Sequence, residues 1–235
     1  MKIIELEPEF ILDQDSETEI IHMDVGYKDI PYGFFYTKCK YLSYDFNGKK
    51  IEDKKDYIRT KSLWFVDFSD KSKHEVLPFG NYDINETSII GNYLYITKII
   101  DKDQDGILEY DYDGGDIYRI NIHNLQVEFC CNIEPYNFHG FEVATEQFLV
   151  FRSEDQIPDT DEIVFIDLKN KTKAILLNDW NKESMNYTFI FDEFGMPIYV
   201  ITKRYVNKDE IGSSNDKLGC FSWTNFLNKL KWNSL

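Results

Sequence analysis

No stretch of this chain is apolar for long enough to cross a bilayer as a helix. The opening MKIIELEPEF is broken by acids and by Pro8, so it does not read as a secretory leader. Together these give the expectation of a cytoplasmic protein that is not held in a membrane. Basic charge is scarce. There are 26 Lys and Arg against 42 Asp and Glu, a formal net charge of -16, and no basic stripe to neutralise phosphates. Nucleic-acid binding is therefore disfavoured. Four cysteines and four histidines are too few and too scattered for a zinc site or a disulfide framework. Cys39, Cys130, Cys131 and Cys220 lie in or beside apolar runs and read as small buried residues. The adjacent pair Cys130 and Cys131 would face opposite sides of a strand. No Gly-x-Ser-x-Gly elbow is present, so the chain does not read as a hydrolase of that type.

What is present is a repeat. LWFVDFSDKSK (Leu63 to Lys73), IYRINIHNLQV (Ile117 to Val127), IVFIDLKNKTK (Ile163 to Lys173) and FSWTNFLNKLK (Phe221 to Lys231) share one pattern. Each has a mostly apolar run, Asp or Asn at the fifth place, another apolar residue and a polar tract. That predicts a strand, a tight turn and a second strand. The copies start 54, 46 and 58 residues apart, within the range of repeat architectures. A second aromatic run precedes each copy: GFFYTK from Gly33, NYLYITK from Asn92, QFLVFR from Gln147 and PIYVITK from Pro197. Weaker strand candidates lie upstream again, at 19–25, 87–90, 140–144 and 187–191.

Each unit thus reads as four antiparallel strands. The runs are apolar almost without alternation, as in sheets covered on both faces. Stacking such units buries both faces and leaves short edges. The expected fold is all-β: a small β-propeller of four blades in one domain, residues 1 to 235, with blades near 16–78, 82–131, 136–178 and 184–235. A sandwich of two larger sheets is the alternative. The KIIELE run, Lys2 to Glu7, is an extra strand candidate, and residues 226–232 fit either a strand or a short amphipathic helix.

The sharpest local signal is DKDQDGILE, Asp101 to Glu109. Asp101, Asp103 and Asp105 occupy alternate positions, Gly106 permits a sharp turn, and an acid stands ninth. A hard cation takes six to eight oxygens, and a curled loop supplies them from alternate side chains. The expected site is calcium held by Asp101, Asp103, Asp105 and Glu109, with the Ile107 carbonyl inward and Leu108 as an anchor. The alternative is a solvated acidic hairpin. The following DYDGGD, with Asp113 and Asp116 flanked by Tyr110 and Tyr112, reads as a partner-binding patch, since aromatics and matched charge make protein interfaces. The stretches 45–56, 154–161 and 207–216 are further loop candidates.

The Asp101 to Glu109 loop followed by GDIYRIN, Gly115 to Asn121, resembles a blade of the TolB-like bacterial β-propellers. That family carries a calcium-type Asp loop between the second and third strands of a blade, ahead of such a strand. The resemblance runs over Tyr93 to Asn121. It implies a propeller fold and protein binding or peptide handling on one face. Members have more blades and a secretion signal, and no catalytic residue carries over. As a class, the chain is also similar to immunity proteins of bacterial toxin systems, which are small, acidic, cofactor-free and cytoplasmic. The functional expectation is a non-enzymatic module that binds a basic protein toxin. The alternatives are a structural or sensory calcium-binding propeller and a carbohydrate-active enzyme.

Overall fold

A computed structural model describes residues 11, 13–22, 30–53, 57–108, 113–133, 137–154, 160–179, 183–206 and 217–235. The KIIELE run lies outside them. The chain is all-β, built of consecutive antiparallel meanders. The first holds β1 (Ile20–His22), β2 (Gly33–Leu42), β3 (Ile58–Asp67) and β4 (Lys73–Leu77). The second holds β5 (Tyr82–Ile90), β6 (Tyr93–Ile100), β7 (Gly115–Asn121) and β8 (Val127–Ile133). The third holds β9 (Asn137–Ala144), β10 (Phe148–Glu154), β11 (Thr160–Asp167) and β12 (Thr172–Asp179). The fourth holds β13 (Glu183–Phe191), β14 (Pro197–Val206) and β15 (Lys217–Ser222). It is joined to the third through one residue pair, Asp179 with Glu183. The expected break between units at 78–82 falls between β4 and β5, whereas the expected ends at 131, 178 and 184 fall one or two residues inside β8, β12 and β13, and β9 to β15 run on as one sheet.

The repeat has an atomic cause in three copies. The fifth-place side chain folds over the turn and accepts backbone N–H bonds. Asp67 Oδ1 accepts from Ser69 N at 2.7 Å, Asn121 Oδ1 from His123 N at 2.9 Å, and Asp167 Oδ1 from Lys169 N and Asn170 N, both at 3.0 Å. Such Asx turns are why Asp or Asn recurs there. The ninth residue then takes a left-handed backbone in each copy: Lys71 at φ 62°, Leu125 at 59° and Lys171 at 54°. The sixth residue donates its N–H to the residue ahead of the upstream strand or its neighbour: Phe68 to Tyr32 O, Ile122 to Asn92 O and Leu168 to Gln147 O.

The fourth copy departs from the expectation. Its strand β15 stops at Ser222, whose Oγ accepts from Asn225 N and caps α1 (Trp223–Leu227). Trp223 therefore heads a helix and not a strand. The helix lays Phe226 into the core, 5.7 Å from the Phe165 ring. The chain end then returns as β16 (Asn233–Ser234) to pair with β12 of the third meander.

Three apolar cores lie between successive meanders. The first joins Phe35, Leu63 and Phe65 to Ile84, Leu94 and Ile96. The second joins Tyr95, Ile117 and Cys131 to Leu149, Phe151 and Val164. The third joins Val150, Ile163 and Phe165 to Phe189, Val200 and Phe226. Neighbouring residues on β6, β10 and β11 thus serve opposite cores, which is the two-residue period of a strand with both faces covered. Each such side chain, once fully buried, contributes about 1.5–3 kcal/mol. Polar links reinforce the stacking. Arg59 pairs with the buried Asp83 at 2.8 Å, and the Tyr95 hydroxyl donates to Thr145 O at 2.9 Å. Cys39, Cys130 and Cys131 are buried as expected, whereas Cys220 is exposed.

The two ends of the stack differ. On the outer side of the first meander Tyr36, Ser62 and Val66 are buried. Asp13 lies there, 2.5 Å from the Tyr36 hydroxyl and 2.9 Å from Lys38 Nζ. The outer side of the fourth meander carries exposed apolar side chains. Among the described residues no core joins the fourth meander to the first.

Candidate metal centre

The Asp loop leaves β6 at Asp101 and curls back on itself. Asp101 Oδ2 accepts from Gly106 N at 2.9 Å, Asp103 Oδ1 from Asp105 N at 3.1 Å, and Asp105 Oδ1 from Ile107 N at 2.8 Å. Gln104 and Gly106 take positive φ, 63° and 95°, which turns the loop tightly enough to gather its carboxylates. One oxygen each from Asp101, Asp103 and Asp105 lies within 4.8 Å of the other two. Oxygens on one calcium, bound at about 2.3–2.6 Å, sit no more than roughly 5 Å apart. The spacing fits.

Asp101 carries the most telling atom. Its Oδ1 is enclosed with no hydrogen-bond partner among the described residues. An enclosed, unpaired carboxylate oxygen is costly. Burial pushes this carboxyl above its ordinary range, and the nearby Asp113 charge adds to the effect. A cation at this point would relieve both terms.

The second meander's loop also touches the first meander. Asn47 Nδ2 donates to Gln104 O at 3.1 Å, and Phe46 N donates to Gly106 O at 3.0 Å. A side chain at Gly106 would meet Asn47 Nδ2 at 2.9 Å and Asp45 Cγ at 3.1 Å. The Asp45–Lys49 turn is therefore packed on the Asp loop, and Asp45 brings a fourth carboxylate to its edge. Asp45 Oδ1 already accepts from Asn47 N and Lys49 N. Beside this turn opens a groove of about 450 Å³, lined by Lys40, Tyr41, Tyr44, Phe46 and Asn81 among others.

The remaining expected residues divide. Glu109, Tyr110 and Tyr112 lie outside the described residues. The Ile107 side chain is exposed, and Leu108 is half-buried. Asp113, expected on a partner surface, is only 3% exposed and accepts the Lys102 N–H at 2.8 Å. Its carboxylate fixes the start of the loop from behind and is buried, where the expectation places it on the surface. Asp116 is half-buried on β7 and accepts from Asn132 Nδ2 at 2.7 Å. Lys102 completes the anchor through Asn132 Oδ1 and Ile133 O. No signal in the local sequence pointed to Asp45 or Asn47, which lie more than fifty residues upstream of the loop.

No protein family matches the sequence, and no curated protein does. Among solved structures, an oligogalacturonate lyase in complex with manganese aligns with 94% of this chain and 70% of its own, with a TM-score of 0.45 and 10% identity. At that level the likeness assigns neither an activity nor a metal to this chain. Among the described residues no helix is long and apolar enough to cross a membrane.

Proposed function

We propose that this chain is a propeller-like scaffold of four blades whose Asp101–Asp105 loop binds calcium, and that it works by binding a protein and not by catalysis. The observation that carries the reading is the Asp101 carboxylate, which has one enclosed oxygen without a hydrogen-bond partner among the described residues and which clusters with the carboxylates of Asp103 and Asp105. The ion is structural in this reading. It neutralises crowded acids and pins the β6–β7 connection against the Asp45–Lys49 turn, and so braces the first blade on the second. Calorimetric titration in calcium-stripped buffer tests it. Binding heat that disappears in Asp103→Asn is expected. No heat at millimolar calcium refutes it.

The partner in this reading is a basic protein, and the more specific form is an immunity protein that neutralises a basic bacterial toxin. The net charge of -16 supports it, because a strongly negative surface attracts and steers a cationic partner. Raising salt is then expected to slow association with that partner while dissociation changes little. An association rate that stays flat from low to physiological salt removes the role of charge.

A further inference from the structure

The geometry points to the outer face of the fourth meander as an interface between two copies of this chain. Each inner face of the stack is covered by the next meander, and the outer face of the first is covered as well. Among the described residues, the outer face of the fourth is the exception. Strand parity separates its two sides. Phe189 on β13, Val200 on β14 and Phe221 on β15 pack inward on the third core. The neighbours of opposite parity, Ile190, Tyr199 and Leu218, point outward, and the strand pairing sets Ile190 beside Tyr199. Leu218 lies one strand further along, paired with Lys203. At the end of the β13–β14 hairpin Phe194 and Met196 are exposed as well. These five side chains are between 40% and 82% exposed.

The area is sufficient for a dimer. Large apolar and aromatic side chains each present about 150–250 Å² when fully exposed. At the observed exposures the five together offer roughly 440–740 Å² per copy, so two copies would bury about 900–1,500 Å², around the lower bound for a specific interface. An exposed patch of that size is at the top of the range for a monomer.

Charge selects the occupant. Most of the surface repels a second copy, because the chain carries a net -16. Residues 183–235 are the exception, with six Lys or Arg against six Asp or Glu. Self-repulsion is therefore weakest where the apolar patch lies, and charge does not draw a basic partner there. A two-fold axis lets one patch serve both copies, with the outer face of β13–β15 packed on itself as the inner faces pack within the chain. The exposed Cys220 lies on β15, so the measurement is made under reducing conditions to keep a disulfide from mimicking the contact.

Sedimentation velocity over roughly 5 to 200 µM protein, the range in which a modest interface of this size associates, is the test. The expected result is a concentration-dependent shift from monomer to dimer. Leu218→Asp and Tyr199→Asp, on neighbouring strands and both at exposed positions, are each expected to weaken the dimer at least tenfold with unchanged far-UV spectra. Tyr44→Asp, exposed on the first meander, is expected to leave it intact. A wild-type chain that stays monomeric throughout the range overturns the proposal. So does a dimer that survives both substitutions. Should one variant fail to fold, the other, or Phe194→Asp at the hairpin, decides by the same readout.

Discussion

The fifth-place Asp of the repeat supplies a graded prediction. Asp167 is 6% exposed. Its Oδ1 accepts from Lys169 N and Asn170 N, and its Oδ2 accepts from Asn170 Nδ2 at 2.7 Å, with Gln147 Nε2 at 3.3 Å. Hydrogen bonds to a charged acceptor contribute about 1.5–3 kcal/mol each, and they do not add fully. Asp167→Ala removes all of them and leaves turn N–H groups unpaired, so a loss of about 3 kcal/mol is expected. Asp167→Asn keeps an Oδ1 acceptor but turns an NH₂ toward Asn170 Nδ2, and a loss of about 1 kcal/mol is expected. Asp67→Ala and Asn121→Ala, in more open turns with fewer bonds, should each cost about 1–2 kcal/mol. Asn225→Ala, the same place in the fourth copy, sits exposed on α1 and should fall within about 0.5 kcal/mol of wild type. Urea unfolding followed by tryptophan fluorescence, with m-values compared, reads all of these. Equal losses across the four alanine variants would refute the claim that the side-chain acceptor is what holds the turn.

Phe165→Ala, which empties a fully buried site between Phe189 and Phe226, should cost about 3–5 kcal/mol in the same urea assay, whereas Phe194→Ala at the exposed hairpin should stay within about 0.5 kcal/mol. Calcium at about a hundred times its Kd should stabilise by about 2.7 kcal/mol, a rise of roughly 5–10 °C in Tm for a chain of this size, and Asp105→Asn should abolish the rise. Burial works to raise the Asp13 carboxyl, but the Tyr36 hydroxyl and the Lys38 and Lys73 ammonium groups outweigh it and hold it well below its ordinary 3.8. The unfolded chain therefore binds the proton more readily, so Asp13 contributes stability that is fully present above pH 3.8 and is lost as pH falls below it; Asp13→Asn should flatten that acid limb in urea midpoints measured from pH 5 downward.

The strand runs were legible because a sheet covered on both faces leaves continuous apolar sequence, and Leu94, Tyr95 and Ile96 divide between two cores as that requires. The fifth-place Asp or Asn was visible as a pattern. Its cause, an acceptor for turn N–H groups followed by a left-handed ninth residue, is backbone geometry that composition does not carry. In the sequence the fourth copy is open between a strand and a short helix over residues 226–232, because its apolar spacing suits both. Ser222 decides between them by capping the N-terminus of α1, and Phe226 then reaches the core from a helix. At the Asp loop, the three alternating carboxylates were local and readable. Asp113 was not, since an acidic run reads as solvated even when one of its members is buried against a backbone N–H. The bracing turn at Asp45 and Asn47 belongs to another meander, and only the stacking brings it to Gly106.

Charge is unevenly distributed along this chain, and that separates two kinds of association. The acidic excess resides in residues 1–182, while residues 183–235 carry six Lys or Arg against six Asp or Glu. The exposed apolar patch is on the neutral portion, and the crowded carboxylates of the Asp loop are on the acidic portion. A basic partner drawn by long-range charge would therefore favour the second meander, where residues 81–135 carry eleven Asp or Glu against three Lys or Arg, and its approach would weaken within a Debye length as salt rises. Self-association through Ile190, Tyr199 and Leu218 is a matter of apolar burial, which salt leaves intact or strengthens by reducing the repulsion between two copies of an acidic chain. The two associations should then respond to salt in opposite directions. Leu218→Asp should change the second and leave the first alone.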